Sequence, residues 1–341
     1  MKIVSIGAGN VFYKYLLPAI AKRNDLDLVA VVDLQTQEKF NIDFAKYLND
    51  FGGKLIETAY FKVDGSSNDC IRKLQKFFSD DTAVFINLPA ISQYKALENF
   101  VSGTKAKIFV EKPAAFLINE VKKMEILIKE NPLRVFFSER YLQGRAQPLL
   151  KILSEYKSKL GKIISVEGRL EEGQKYYNQV PVWFTKTGPG LDLCYHLLSI
   201  GLTIFKDGNW KLEKVVKPKS FDKGFGVKAN LKVDLPNSNK SISFKLVAGK
   251  RRGRNKRFLK LVFEKGEIWQ EYTSGNQVDP IYFKKGEVVK KIFEMPESYN
   301  AYDCQLEIFK YWFFHPYTIA PPVETLRLCL NIRKMRMMAG F

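Results

Sequence analysis

Lys2-Ile3-Val4-Ser5-Ile6-Gly7-Ala8-Gly9-Asn10 decides how this chain begins. A short apolar run feeds a glycine-spaced turn, and apolar residues at helical spacing follow from Tyr13 to Ala21. Gly7 lets the chain leave the strand sharply, Gly9 lets backbone approach a pyrophosphate, and the following helix directs its free amides at that anion. Twenty-four residues after Gly9, Asp33 closes the apolar run Leu28-Val29-Ala30-Val31-Val32, at the strand tip where a carboxylate holds ribose hydroxyls. The stretch reads as the opening unit of a dinucleotide-binding domain. One position departs from the G-x-G-x-x-G pattern: Phe12 stands at the third glycine, so the close packing of helix on strand must be achieved in another way.

Working outward, strands are expected at 2–6, 28–33, about 56–61, 83–87, 107–110 and 133–137, separated by helical stretches at Tyr13–Ala21, Gln37–Leu48, Asn68–Phe78, Ser92–Ser102 and Ile118–Lys129. Such alternation demands a parallel sheet covered on both faces, a doubly wound α/β domain over residues 1–140. From Gly161 the pattern changes to strand segments at Lys162–Leu170, Gly226–Leu235, Ser241–Val247, Phe258–Phe263, Glu267–Tyr272 and Pro280–Phe283, with helices at Leu191–Phe205, Tyr302–Phe314 and Val323–Met338. Residues 141–341 are therefore expected to form an α+β domain on a large, mainly antiparallel open sheet.

The chain has 341 residues, 46% of them hydrophobic, enough for one large or two ordinary cores. No apolar run reaches the roughly 20 residues that span a bilayer, and the N-terminus passes directly into a strand, so a cytoplasmic protein without membrane association is expected. Cys70, Cys194, Cys304 and Cys329 form no C-x-x-C pair and read as reduced core residues, with no disulfide framework and no metal site. A net charge of +19 permits attraction to anions. Nucleic-acid binding lacks support, because no helix-turn-helix, zinc module or aromatic ribonucleoprotein motif accompanies the charge. The densest basic cluster, Lys250-Arg251-Arg252-Gly253-Arg254-Asn255-Lys256-Arg257, reads as a solvated hairpin turn, with contact to a substrate phosphate or a partner subunit as the functional alternative.

In an open parallel sheet, ligands sit beyond the carboxyl ends of the strands. Asn87-Leu88-Pro89 follows the fourth strand and Glu111-Lys112-Pro113 the fifth. An ammonium held at that edge can donate a hydrogen bond or proton to a substrate oxygen, although taken alone Glu111 and Lys112 read more simply as a surface charge pair. A second cluster, Gly188-Pro189-Gly190-Leu191-Asp192-Leu193-Cys194-Tyr195-His196, sets Asp192 and His196 four apart, on one face if they share a helix. His196 is one of two histidines, and an imidazole beside a carboxylate suits acid–base chemistry near neutral pH. A hydrogen-bonded core histidine is the alternative. His315, before Pro316, reads as a helix-terminal structural residue.

Taken together these segments resemble the Gfo/Idh/MocA oxidoreductases, the family of glucose-fructose oxidoreductase and inositol dehydrogenase. The resemblance runs through Ile6-Gly7-Ala8-Gly9-Asn10, Leu17-Pro18-Ala19-Ile20, Val31-Val32-Asp33, Glu111-Lys112-Pro113, Ser138-Glu139-Arg140-Tyr141, Gly161-Lys162-Ile163, Trp183 and the glycine-rich entry to Asp192 and His196. It implies a Rossmann domain holding a nicotinamide dinucleotide through Gly7, Gly9, Asn10, Val11, Asp33, Asn87, Pro89, Glu111 and Lys112. Glu111 is placed near the nicotinamide ribose. It further implies a second domain for substrate binding and oligomerisation, with Lys112 acting on the substrate oxygen, His196 assisting proton transfer and Asp192 binding substrate or orienting the imidazole. The expected reaction is hydride exchange with a secondary alcohol or ketone of a sugar, cyclitol or nucleotide-linked sugar, by a homodimer or homotetramer. A catalytically silent cofactor-binding regulator of the same fold is the alternative. Asp33, followed by the uncharged Leu34 and Gln35, favours NAD(H) over NADP(H). Phe12 and Tyr94, the latter where many relatives carry histidine, depart from the family pattern.

Overall fold

The computed structural model describes every residue except 52–55, 64–66, 175–181, 219–220, 222–224, 237, 253–254, 274–278, 297–298, 317–321 and 341. Two compact units divide the chain, Met1–Ser138 with Tyr302–Val323, and Glu139–Ala301 with Glu324–Phe341. The reading of two contiguous halves, 1–140 and 141–341, differs from this division in two respects: Glu139 and Arg140 belong to the second unit, and Tyr302–Val323 returns to the first.

In the first unit, β1 (Lys2–Ile6), β2 (Asp27–Asp33), β3 (Ala59–Lys62), β4 (Thr82–Ile86), β5 (Lys107–Val110) and β6 (Val135–Phe137) form one sheet in the order β3-β2-β1-β4-β5-β6. All five pairings are parallel. Every residue of β4 is buried, as expected of a strand covered on both faces. The strand order reverses between β1 and β4, so the chain exits after Ile6 and Ile86 border the crevice where such sheets take ligands.

The departure at Phe12 has a structural answer. Phe12–Leu16 is a π-helical turn in which the Leu17 amide donates to the Phe12 carbonyl, five residues back, and Phe12 itself is fully buried. Pro18 stands just beyond, lacking the amide that would continue a regular ladder. The widened turn and the proline together seat a phenyl ring where other sheets of this kind need a glycine.

The return of Tyr302 onward is explained by aromatic packing. In the helix Ala301–Phe314, the Phe309 ring meets Phe85, Phe109 and Phe136 edge-on, with centroids 5.1, 5.2 and 5.3 Å away. Trp312 adds a contact to Phe136, so one face of the parallel sheet is covered by this late segment.

In the second unit, β7 (Ile163–Gln174), β8 (Asn209–Val216), β9 (Gly226–Asp234), β10 (Ser241–Arg252), β11 (Lys256–Phe263), β12 (Gly266–Glu271), β13 (Pro280–Lys285) and β14 (Val288–Glu294) form a single sheet in the order β14-β13-β12-β11-β7-β10-β9-β8. Only the central β7–β10 pairing is parallel. The apolar helix Cys194–Ile204 lies on the middle of this sheet, where a side chain on Gly168 of β7 would collide with Leu197 and one on Gly201 with Phe244 and Trp210. Bare glycines thus let helix and sheet approach closely.

One expectation is corrected here. β10 and β11 are not a hairpin: β7 runs between them, with Arg252 opposite Gln174 on one side and Lys256 opposite Glu171 on the other. Near the end of β7 the Asn255 carboxamide accepts from the Gly173 amide, and residues 253–254 lie outside the described residues. Nor is the cluster simply solvated. Lys250 is buried and its ammonium lies 2.8 Å from Glu172 Oε2, with Arg257 on the other carboxylate oxygen. Burial opposes ionisation of Glu172, but these two cations outweigh it and hold the carboxyl below its ordinary value.

Candidate active site

The dinucleotide half is built from strand exits. Gly7 has φ +98°, a conformation that disfavours any Cβ, and its amide donates to Val32 O at 2.8 Å. An added Cβ would stand 2.7 Å from the Asn87 carbonyl oxygen. Gly9 is the opposite case: it is exposed, and no atom lies within 4 Å of where its Cβ would be. Asn10 is exposed beside it, and Val11 leads into the π turn. Asp33 joins the two strand exits, accepting from the Ala8 amide at 2.6 Å on one oxygen and from Gln35 N at 3.0 Å on the other. Gln35 is pinned in turn, its side-chain amide donating to Tyr13 Oη and its carbonyl accepting from Tyr60 Oη, and burial pushes both phenols up to about 12.

Asn87 is buried and donates to Ser5 Oγ at 3.0 Å, while Ser5 donates to Gly7 O, so β1 and β4 exits share one hydrogen-bonded chain. Pro89 caps the helix Ala90–Gly103, from which Gln93 donates to the Glu111 carbonyl. The Glu111 carboxylate is also buried, accepting from Tyr302 Oη and from the Lys112 amide, each at 3.3 Å. Lys112 is half-buried and precedes a cis peptide to Pro113. Tyr94 turns away to Glu98, donating its hydroxyl at 2.9 Å. Open space before Gly9, an adjoining helix start and a fixed carboxylate at the tip of β2 together fit a dinucleotide pyrophosphate and ribose.

A separate cluster lies in the second unit. Gly188 breaks the helix Val182–Asp192 with φ +74°, and Pro189 starts a new helical turn that ends at Leu193, before the helix Cys194–Ile204. Asp192 ends the first segment and His196 stands in the next, with Leu193 between them still in helical backbone conformation (φ −101°, ψ −40°). The carboxylate on the imidazole is Glu139, whose Oε1 lies 2.7 Å from His196 Nδ1, both side chains 6% exposed. The Tyr141 ring stacks on the imidazole at 4.3 Å, and Arg145 bonds Tyr141 Oη while its guanidinium forms a bidentate pair with buried Asp279. Burial disfavours the Arg145 charge, yet Tyr141 and Asp279 raise its pKa above the ordinary value. Asp192 is buried, its charge opposing the lowering of Glu172.

Tyr141–Arg145 is a second π-helical turn, with Ala146 N donating to Tyr141 O and Pro148 just beyond. Glu139 was missed by sequence reasoning, although it follows β6 as closely as Lys112 follows β5. The side chain of Trp183 lies outside the described residues. His315 is exposed at its helix end, its amide bonded to Tyr311 O, and Cys194 is an inert thiol pushed up to about 12 by burial. Among the described residues no His, Cys, Asp and Glu cluster has metal-site geometry, and no helix is long and apolar enough to cross a membrane.

Comparison with known proteins places these features. Residues 1–138 match the Gfo/Idh/MocA model, described as an oxidoreductase family with an NAD-binding Rossmann fold. No curated protein sequence matches the chain. Similar solved structures include KijD10, a 3-ketoreductase from Actinomadura kijaniata in complex with NADP and TDP-benzene, at 14% identity and TM-score 0.73 over 99% of this chain and 97% of that one. Myo-inositol 2-dehydrogenase from Lactobacillus plantarum matches at 16% identity and TM-score 0.73, covering 99% and 98%. Aldose-aldose oxidoreductase from Caulobacter crescentus, complexed with glycerol, matches at 14% identity and TM-score 0.72, also covering 99% and 98%. At these identities the likeness is one of fold, and it extends over the antiparallel sheet as well as the parallel one.

Proposed function

We propose, on the premise that the chain belongs to the Gfo/Idh/MocA oxidoreductases, that it exchanges a hydride between a nicotinamide dinucleotide and a secondary alcohol or ketone of a sugar, cyclitol or nucleotide-linked sugar. The observation that carries this beyond cofactor binding is the buried Glu139–His196 pair in the second unit. A silent cofactor-binding regulator would need only the glycine turn and Asp33.

Gly7, Gly9, Asn10 and Val11 would hold the pyrophosphate end, Asp33 the ribose, and Asn87, Pro89 and Glu111 the nicotinamide side. When bound, the dinucleotide supplies the hydride acceptor or donor. In the oxidative direction the alcohol carbon loses a hydride and its oxygen loses a proton as the C=O bond forms. Lys112 donates a hydrogen bond to that oxygen, His196 takes or returns the proton, and Asp192 binds neighbouring hydroxyls. NAD(H) is proposed over NADP(H) because a 2′-phosphate would face the Asp33 carboxylate. The register sets Lys62 of β3 opposite Asp33, so tighter binding of NADPH than of NADH would reverse this assignment and implicate Lys62. A cytoplasmic homodimer or homotetramer, associated through the sheet face bearing Lys228 and Lys232, completes the proposal, and sedimentation of the purified protein tests its oligomeric part.

The decisive experiment is oxidation of NADH by a panel of keto-sugars. Lys112→Ala is expected to remove most turnover while NADH affinity stays within about tenfold, about 1.4 kcal/mol. Full activity in that variant would refute the role, and saturable NADH binding with no turnover of any substrate would favour the regulator. His196→Asn is expected to slow turnover less severely than Lys112→Ala.

A further inference from the structure

Nothing in the spacing of residues 139 and 196 links them, yet the fold of the second unit closes them to 2.7 Å. Glu139 Oε1 also accepts from the Tyr141 amide at 2.9 Å and the Leu142 amide at 3.4 Å, at the start of the π-helical turn. A carboxylate that accepts backbone amides at a helix start is stabilised in its ionised form. An ionised carboxylate offers no proton, so the hydrogen in its bond to His196 must reside on Nδ1. The neutral imidazole then carries no proton on Nε2, and a proton arriving there creates an imidazolium beside a fixed negative charge.

The ring is held as well as polarised. Tyr141 stacks on it at an interplanar angle of 29°, and Tyr195 meets it edge-on. Behind Tyr141, Tyr272 packs edge-on and the Arg145–Asp279 pair closes the shelf, with Arg145 also donating to Thr273 O. Among the described residues, Glu139, Tyr141 and Tyr195 are titratable groups packed about the imidazole, with Arg145, Tyr272 and Asp279 behind Tyr141 and Asp192 preceding it in the chain.

We propose that Glu139 is the positioning residue that holds His196 as its Nδ1–H tautomer, with Nε2 as the proton-accepting atom, a role the sequence reading offered to Asp192. This rests on the reading of His196 as the proton-transfer group. Asp192 is thereby assigned to substrate hydroxyls.

The chain has two histidines, so nitrogen-15 NMR of histidine-labelled protein with His315→Gln as the assignment control reads His196 directly, without cofactor or substrate. The wild-type protein is expected to show a protonated Nδ1 and an unprotonated Nε2 at pH 8. Glu139→Gln keeps an oxygen acceptor but removes the charge, and should lower the His196 titration midpoint by about one unit, a tenfold change in proton affinity. Glu139→Ala should leave a mixture of tautomers, and Glu139→Asp should restore part of the midpoint. A wild-type Nε2–H tautomer, or a midpoint unmoved in folded Glu139→Gln, overturns the proposal. The readouts are separable: the expected spectra with an unchanged rate in His196→Asn would sink the catalytic role of His196 and leave the placement by Glu139 intact. In an active enzyme, Glu139→Gln should also shift the acidic limb of the kcat/KM profile to lower pH with NADH affinity unchanged.

Discussion

Gly7 and Gly9 stand two residues apart and answer to different constraints. Gly7 is held at φ +98° against the Asn87 carbonyl, so Gly7→Ala adds backbone strain and a collision with an atom that cannot swing aside. Its expected cost is about 1–3 kcal/mol, read as a lowered melting temperature. Gly9 meets nothing, and Gly9→Ala is expected to melt within about 2 °C of wild type. Its new methyl group would occupy the space from which a pyrophosphate approaches, so NADH affinity should fall at least about tenfold. Calorimetry and NADH titration of the two variants separate these effects, and unchanged NADH binding in Gly9→Ala would remove the anion site from that turn. At this scale Gly7, Gly9 and Asp33 were legible from their spacing after apolar runs. Glu139 was not, because its partner His196 stands 57 residues away in the second unit and only the packing of that unit joins them.

Among the elements, most helices and strands with apolar periodicity were legible; the helix Gln147–Leu160 was not, and the two strands that were not share a cause. β8 and β14 were not anticipated, and they are the two edge strands of the eight-stranded sheet. Their sequences, Asn209-Trp210-Lys211-Leu212-Glu213-Lys214-Val215-Val216 and Val288-Val289-Lys290-Lys291-Ile292-Phe293-Glu294, interrupt the apolar pattern with lysines of the kind that guard exposed edges. The two π-helical turns were equally silent, since each depends on a proline acting on a turn already packed against its unit. The helix Ala301–Phe314 was foreseen as a helix but not as a cover for β4, β5 and β6. Phe309 touches three rings of that sheet, and Phe309→Ala is expected to destabilise the first unit by about 3–5 kcal/mol, measured as a lower urea midpoint. A change below about 1 kcal/mol would show that the late helix contributes little to that core.

Across the whole molecule, the excess of cations is structural in part. Asp25 binds Arg23 and Lys310, tying the turn before β2 to the returning helix, and its carboxyl lies well below the usual range, first through the Arg23 hydrogen bond and, against the effect of burial, also through Lys310. A carboxyl lowered in the folded state binds fewer protons there than in the unfolded chain. Its contribution is therefore complete above about pH 4, the unfolded value, and is lost as pH falls toward the folded value. Asp25→Asn is expected to lower the urea midpoint at neutral pH and to flatten its decline between about pH 4 and pH 2. An identical decline in both proteins would show that the pair does not couple folding to pH.

The amino-acid sequence alone determined the order of strands and helices in the first unit, the glycine turn and the residues at the tips of β2, β4 and β5, because short-range periodicity and local backbone freedom encode them. It also marked His196 as a candidate group. Only the tertiary structure decided which carboxylate faces that imidazole, which strand separates β10 from β11, and which unit the segment from Tyr302 joins. Those outcomes depend on contacts between residues 57 to 224 positions apart, such as Glu139 with His196 and Phe85 with Phe309, and packing rather than local pattern selects them.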